Sequence, residues 1–596
     1  MARDLHLLLK MSNRNHPDGK TRFVKYATIV AAVILLLLAI YVTSFVAGLQ
    51  PEGVQPIWEQ LSVPPCVADP ANLPQPTRPD GLPANYLHTC GSKMYDYKGR
   101  EVRITGINWF GAETDTFVPH GLWTRHWKSI LDQIASLGYN TIRLPFSNEM
   151  LRPATMPKGI DYGVNPDLQG LTSLQVLDNI IAGARERGLK VILDRHRPTS
   201  AGQSPLWYTD EVPERQWIDD WRMLASRYYG DDTVIAFDLH NEPFAEATWG
   251  SGDAATDWAM AAERAGNAVL EVNPYLLIFV QGVENYEGDW YWWGGNLKGV
   301  AKRPIILNVP NRVVYSPHDY GPDVFLQGWF TDASFPNNLP NVWDQHWGYI
   351  QKQGIAPVVL GEFGGRSVSE GAEGAWQRAL LDYLQRRQIG FINWTLNPNS
   401  SDTGGLLSDD WQAVLQDKQD LYRQYLAPPI GDRDGAAQGA QPNDLIVFYH
   451  SADVRDKVNN VSFFIQVFND TAQPVELSRI EVRYWFSAGD TKGRDQLAQV
   501  DWSDINSAEI HTEFVPLEGE EGNFYLRITF GSGAGSIAPY SSSAPVLLRF
   551  HKSDWSDYTQ SNDYSFGPVT ESREWDRITL YVDGRLVWGR EPENGH

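Results

Sequence analysis

Between Val102 and Asn397, eight short β-like runs alternate with segments of helical period. The runs are Val102–Trp109, Asn140–Phe146, Val191–His196, Ile235–Glu242, Leu276–Gly282, Val313–Tyr320, Pro357–Gly364 and Gly390–Asn397. Between them, Trp127 to Leu137 and Leu174 to Ile181 repeat apolar residues at three- and four-residue spacing, as amphipathic helices do. Eight strand–helix units over about 300 residues point to a closed parallel barrel rather than an open sheet. In such a barrel the C-terminal strand ends converge on one face, so polar groups at those ends share a site.

Two of those ends carry a glutamate: Glu242 in Phe237-Asp-Leu-His-Asn-Glu-Pro243 and Glu362 in Val358-Val-Leu-Gly-Glu-Phe-Gly364. Two carboxylates facing one pocket suit glycosidic-bond cleavage, in which one protonates the leaving oxygen while the other attacks or activates water. Neither motif decides alone, because Asn-Glu-Pro also serves as a helix cap or turn. Their company decides. Arg143, His196, Asn241, His318, Tyr320 and Trp394 fall at the same end of the predicted barrel. Each has a structural alternative, such as an ion pair for Arg143, a core histidine for His196 or a barrel plug for Trp394. All of those alternatives holding together at one barrel end is improbable.

The chain of 596 residues holds 23 Trp and 26 Tyr, more flat rings than packing calls for and well suited to stacking on sugar faces. Trp123, Trp207, Tyr208, Trp293 and Trp329 follow strand ends or sit in loops, where they would line a cleft. A net charge of −23 without an acidic tail argues against a nucleic-acid partner. The two cysteines, Cys66 and Cys90, suit an oxidising exterior and one disulfide between them, and their number excludes a thiolate zinc site.

Residues 1–25 form a basic tail, with Arg3, Lys10, Arg14, Lys20, Arg22 and Lys25 against Asp4 and Asp18. Residues 26–49 carry no charge, a length that crosses a bilayer and exceeds the apolar core of a secretory signal. The positive-inside bias puts the tail in the cytoplasm and the rest outside, so one transmembrane anchor in the cell membrane is expected. Val46-Ala-Gly48 leaves a cleaved signal, and a secreted protein, as the alternative. Residues 50–84 are proline-rich and read as a semi-rigid spacer.

Residues 85–428 resemble a glycoside hydrolase family 5 catalytic domain of the bacterial endo-β-1,4-glucanase branch. The resemblance rests on Gly106-Ile-Asn-Trp-Phe-Gly111, His120-Gly-Leu-Trp123, Leu137-Gly-Tyr-Asn-Thr-Ile-Arg-Leu-Pro145, Leu193-Asp-Arg-His-Arg-Pro198, Phe237 to Pro243, Tyr291-Trp-Trp-Gly-Gly-Asn296 and Leu360-Gly-Glu-Phe-Gly364. It implies Glu242 as acid/base and Glu362 as nucleophile, in a retaining mechanism that needs no cofactor. It further implies Asn241 on the sugar 2-hydroxyl, Arg143 and Tyr320 beside Glu362, His196 and His318 around the sugar or the acids, and Trp394 as a subsite floor. Trp123 and Trp293 are the best further stacking rings. The chain departs from relatives of this branch in lacking a second aromatic within Trp394-Thr-Leu396 and in having few cysteines.

After a small, polar linker at 429–443, alternating strands without helices run from Leu445 through Val582, the pattern of an all-β sandwich or jelly roll. Residues 444–594 resemble a family 3 carbohydrate-binding module through Arg483-Tyr-Trp-Phe486, Asp554 to Phe566 and Tyr581 to Gly589. That resemblance implies a flat cellulose-binding strip including Asp501, Trp502, Arg549 and Trp555. It also implies a structural calcium held by Thr559, Asn562 and Asp563 with Ser487 and Asp490, an oxygen-only set that suits calcium.

The expectation is therefore a multidomain chain: one transmembrane helix, a (β/α)8 TIM barrel and a β-sandwich. It would act as a monomeric endo-β-1,4-glucanase on cellulose or related β-glucans. A β-mannanase or mixed-linkage glucanase of the same fold, and a non-catalytic cell-surface polysaccharide-binding protein, are the alternatives. Retention of both glutamates speaks against the last.

Overall fold

A computed structural model describes residues 73–78, 81–369, 371–431, 445–471, 473–489, 495–517 and 523–592. The expected cytoplasmic tail, the membrane segment 26–49, most of both linkers, Cys66 and Asp490 lie outside the described residues. Among the described residues no helix is long and apolar enough to cross a membrane. Cys90 is disulfide-bonded.

The barrel strands are β1 (Thr105–Asn108), β2 (Thr141–Ser147), β3 (Lys190–Arg197), β4 (Val234–Asp238), β5 (Leu277–Val280), β6 (Val313–Tyr315), β7 (Val359–Phe363) and β8 (Gly390–Asn393). They pair in parallel in the order β6-β5-β4-β3-β2-β1-β8-β7. Parallel bridges Tyr315–Val358 and His318–Glu362 join β6 to β7, so the sheet closes.

Helix α1 (Trp127–Ser136) buries Trp127, Ile130, Leu131 and Ile134, the 3.6-residue stripe that faces the strands. Helix α2 (Ser173–Glu186) starts at a capping box between Thr172 and Gln175. Helices α3 (Glu214–Arg227), α4 (Trp258–Val272) and α5 (Gly371–Arg387) continue the outer ring.

Side-chain parity explains how one barrel holds both a core and a site. Residues two apart on a strand share a face. Ile192, Ala236, Phe279, Val314 and Ile392 belong to one apolar cluster inside the barrel. Two residues further along the same strand paths come Asp194, Asp238, Gln281, Ser316 and Trp394. The interior thus changes from apolar to polar toward the C-terminal ends.

All eight strands stand in the predicted order, but several end earlier than the apolar runs suggest. Strand β4 stops at Asp238, four residues before Glu242, and β6 stops at Tyr315. The polar residues beyond leave the ladder to enter the site, and Glu242 takes a left-handed φ of 52°.

The sandwich strands are β9 (Leu445–Ser451), β10 (Val461–Asn469), β11 (Ile480–Ser487), β12 (Gln496–Ser503), β13 (Ile510–Pro516), β14 (Asn523–Phe530), β15 (Val546–Lys552), β16 (Arg573–Glu574), β17 (Ile578–Val582) and β18 (Arg585–Trp588). One sheet runs β12-β15-β10-β9-β16 and the other β13-β14-β11-β17-β18. Facing rings such as Phe463 and Tyr484, 4.3 Å apart, fill the core between them. Strands β12 and β13 are largely polar edges: of the apolar residues on β12, Ala498 and Val500 pack against the core while Leu497 and Trp502 are exposed.

Candidate active site

Arg143, inward on β2 and fully buried, organises the site. Its Nη1 donates to Glu362 Oε1 at 2.6 Å and to Asn108 Oδ1 at 3.0 Å. Its Nε donates to Asp238 Oδ2 at 3.1 Å, and its Nη2 to Asn241 Oδ1 at 3.0 Å, with Asp194 Oδ1 3.1 Å away. Burial alone would pull the Arg143 pKa down. The charges of Asp194, Asp238 and Glu362 outweigh that and hold it above the ordinary arginine value.

Glu362 receives a second hydrogen bond, from the Tyr320 hydroxyl to Oε2 at 2.6 Å. Both carboxylate oxygens are therefore held, which fixes the side chain's direction. Tyr320 and His318 are aimed by the residue between them: Asp319 accepts from Tyr291, from Trp376 Nε1 at 2.9 Å and from Trp343 Nε1 at 3.1 Å.

Glu242 sits opposite, with 15% of its side chain exposed. Burial raises its pKa, as a proton donor requires. Its Oε1 lies 2.9 Å from His318 Nδ1, and its Oε2 accepts from Gln203 Nε2 at 2.8 Å. Its strained backbone is pinned by Gln281, whose Oε1 accepts the Glu242 N–H at 2.8 Å while its Nε2 donates to Asp238. A Cβ on Gly294 would meet that Gln281 oxygen at 2.5 Å, so only glycine lets the loop come this close.

His318 lies between the two acids, its Nδ1 also 3.4 Å from Glu362 Oε2. Burial pushes its pKa down to about 4 and that of His196 down to about 3, so both rings are neutral near pH 7. His196 Nδ1 meets Asp194 Oδ2 at 2.6 Å, and its ring stacks on Trp394, which stacks on Phe110. Because Asn241 Oδ1 is taken by Arg143, its Nδ2 is the end turned toward His196 and the cavity.

One oxygen of Glu242, one of Glu362 and a His318 nitrogen all lie within 4.8 Å of one another. Such a cluster has the outline of a metal site. However, Arg143 and Tyr320 already engage both Glu362 oxygens, a donor set built for proton transfer and charge stabilisation.

The structure brings together all the predicted groups at the strand ends. Trp293 is a supported platform, flat on Phe244 at 4.0 Å with Nε1 donating to Glu284, and 42% exposed. Trp123 stands edge-on to Trp411, 38% exposed. Trp207 does not join them: it is fully buried against Trp217 and Trp258, a core residue.

Sequence reasoning missed the functional weight of Asp194 and Asp238, although both sit inside quoted motifs two residues from an apolar inward position. Burial raises Asp194 to about 7 and Asp238 to about 6. Gln203 lies in a loop with no periodic signal.

On the sandwich, β12 and β15 turn Leu497, Gln499, Trp502, Leu547, Arg549 and His551 to one outer face. Trp502 and Trp555 are about half exposed, and Trp555 stacks on His551 at 3.9 Å. Arg549 pairs with Asp501 at 2.9 Å. At the predicted calcium loop, Asp563 is buried. Its Oδ1 accepts the Ser487 N–H at 2.8 Å while Oδ2 has no hydrogen-bond partner. An orphaned buried carboxylate oxygen fits a cation ligand.

Two facing carboxylates at the C-terminal strand ends of a parallel barrel fit the chemistry of a glycoside hydrolase. The sequence profile of the cellulase family, glycosyl hydrolase family 5, matches residues 95–400, and that of the cellulose binding domain matches residues 447–589. The chain belongs to glycosyl hydrolase family 5 and carries a cellulose-binding-domain module.

It is 54% identical to an endoglucanase of Paenibacillus polymyxa, over 60% of this chain and 91% of that one. It is 49% identical to the major extracellular endoglucanase of Xanthomonas campestris pv. campestris, over 57% and 71%. The solved catalytic domain of the Xanthomonas enzyme superposes with a TM-score of 0.55 at 47% identity, covering 57% of this chain and 99% of that one. An endocellulase of Pyrococcus horikoshii in complex with cellotetraose superposes with a TM-score of 0.56 at 41% identity, covering 59% and 100%.

Proposed function

We propose that this chain is a retaining endo-β-1,4-glucanase acting on cellulose and related β-glucans. The observation that carries the mechanism is that one oxygen of Glu242 and one of Glu362 lie within 4.8 Å of each other, with His318 Nδ1 2.9 Å from the first acid and 3.4 Å from the second. Retaining enzymes space their carboxyls about 5–5.5 Å apart, whereas inverting ones need about 6.5–9.5 Å to admit water. The substrate class is supported by the endoglucanase relatives and by the cellotetraose bound to the Pyrococcus horikoshii endocellulase.

In the first step Glu362 attacks the anomeric carbon while Glu242 gives its proton to the departing glycosidic oxygen. Arg143 and Tyr320 hold the attacking carboxylate on line, and the Asn241 amide meets the sugar 2-hydroxyl as positive charge develops on the ring. In the second step Glu242, now deprotonated, takes a proton from water, which releases the sugar from Glu362 with its configuration restored. Neutral His318, between the acids, adds no charge that would trap Glu242 as carboxylate. NMR on cellopentaose hydrolysis tests this: the first product is expected as the β-anomer, and an α-anomer would overturn the two-step reading.

The strip of Trp502, Trp555, Arg549 and Asp501 is proposed to hold cellulose by ring stacking, since an exposed aromatic patch on a folded surface marks a binding site. Calcium is proposed at Asp563 with Ser487, Thr559 and Asn562, supported by the orphaned Asp563 oxygen. Chelation is then expected to lower the melting temperature of the sandwich. The uncharged run 26–49 supports a membrane anchor that leaves both folded units outside the cell. Retention of the full chain in membranes after a high-salt wash tests it.

A further inference from the structure

Phe468 lies on the outer face of the sandwich, sharing the parity of Ser462, Phe464 and Gln466 on β10, yet it is only 1% exposed. The barrel covers it. The His126 ring, at the start of α1, lies 5.4 Å from the Phe468 ring and stacks on Tyr540 at 5.3 Å and 11°. One residue past Trp127, Lys128 Nζ meets both Asp470 oxygens at 2.6 and 2.5 Å. The exposures of those two side chains are 16% and 9%. At the end of α2, Arg187 Nη2 donates to the Tyr540 hydroxyl at 3.2 Å while its Nε pairs with Asp132 on α1 at 2.7 Å. A surface ion pair between mobile chains contributes little. This one is largely out of water, bidentate, and flanked by stacked rings.

The place of the contact matters. The cellulose strip is on the same sheet face: Phe464 on β10 pairs with Leu547 on β15, and Leu547 pairs with Trp502 on β12. Phe468 is four residues further along β10, about 13 Å at roughly 3.3 Å per residue. On the barrel side, His126 is three residues after the platform ring Trp123, at the cleft rim.

We propose that the sandwich docks on the flank formed by α1 and α2 through Phe468, Asp470 and Tyr540, and holds its cellulose strip in a fixed position beside the Trp123 end of the cleft. The two units then act as one body, and a glucan lying on the strip approaches the barrel from a set direction. The docking rests on contacts alone; the delivery of substrate rests on the glucanase reading.

Hydrogen exchange on the full chain, with a charge-swap cycle at Lys128 and Asp470, tests the docking. Asp470→Lys on the sandwich is expected to speed exchange in barrel peptides covering 126–134. Lys128→Glu is expected to speed exchange in sandwich peptides covering 466–470 and 538–543, and the double variant to restore both. Unchanged exchange of 126–134 in Asp470→Lys would overturn the docking. For delivery, each single variant is expected to lower sugar release from microcrystalline cellulose at least twofold, with recovery in the double variant and cellopentaose turnover constant throughout. Coupled exchange with unchanged release would keep the docking and overturn the steering. A wild-type chain that cleaves neither substrate would instead fail the glucanase reading.

Discussion

Two arginine–carboxylate pairs, one in each folded unit, show how differently the units use the same chemistry. Arg143 and Glu362 meet at 2.6 Å with side-chain exposures of 0% and 4%. Arg549 and Asp501 meet at 2.9 Å with exposures of 35% and 26%. In the barrel the field between the charges is little screened and the geometry is fixed before substrate arrives, and in the proposed mechanism the pair stabilises charge that appears during reaction. On the sandwich water screens the pair, whose proposed part is only to level the strip. The proposed roles follow that difference, reactivity for the barrel and adhesion for the sandwich.

The largest test of that contrast is Glu362→Gln, which keeps the shape and the Arg143 contact but removes the nucleophile. Turnover is expected to fall on the order of 10⁴-fold or more, with binding to microcrystalline cellulose unchanged. Loss of cellulose binding along with turnover would break the division of labour.

Next is Glu242→Gln, read on two substrates. With cellopentaose the leaving oxygen needs a proton, and kcat/KM is expected to drop roughly 10²–10⁴-fold. With an aryl cellobioside bearing a good leaving group, the glycosylation step is expected to lose far less. Equal losses on both would remove Glu242 as the acid.

The same contrast explains what the sequence made legible. Eight strands were readable because buried parallel strands are near-continuous apolar runs, as Val191-Ile-Leu193 and Val358-Val-Leu360 are. The strand-end glutamates were readable because each follows such a run. The strand ends themselves were not, since Leu239 and Pro317 continue the apolar pattern after the ladder has stopped. Gln203 and the Asp319 anchor depend on loops and on three partners distant in sequence, which no local period encodes. On the sandwich, β12 escaped because its outward side chains serve the strip rather than a core. Phe468 has the outward parity of β10, and no local period in the sequence marks it as covered by the barrel.

A smaller effect belongs to the strip. Trp502→Ala and Trp555→Ala are each expected to weaken adsorption to microcrystalline cellulose by about 1 kcal/mol, close to fivefold, as lost ring stacking. Hydrolysis of cellopentaose should not change, because the strand ends of the barrel are untouched. Normal adsorption by both variants would mean that the flat strip is not the binding surface.

The smallest expected effect lies at Gln203, a loop residue that reaches Glu242. Gln203 Nε2 donates to Glu242 Oε2, a bond that favours the carboxylate and so opposes the rise that burial imposes. Glu242 must be protonated for the first step, so kcat/KM falls as pH rises through its pKa. Gln203→Ala removes the donor, the Glu242 pKa rises further, and the alkaline limb of the profile is expected to move to higher pH, with kcat/KM at the optimum changed only a few-fold. A residue that merely supports the loop would lower the whole profile without moving that limb. Other buried acids lie nearby, with Asp194 and Asp319 pushed up by burial to about 7 and Asp238 to about 6. None of the three is hydrogen-bonded to Gln203: Asp194 contacts Arg143 and His196, Asp238 contacts Arg143 and Gln281, and Asp319 accepts from Tyr291, Trp343 and Trp376. A limb that stays in place in Gln203→Ala would overturn Glu242 as its source, and the barrel's pH dependence would then be set by the buried acids beneath the catalytic pair.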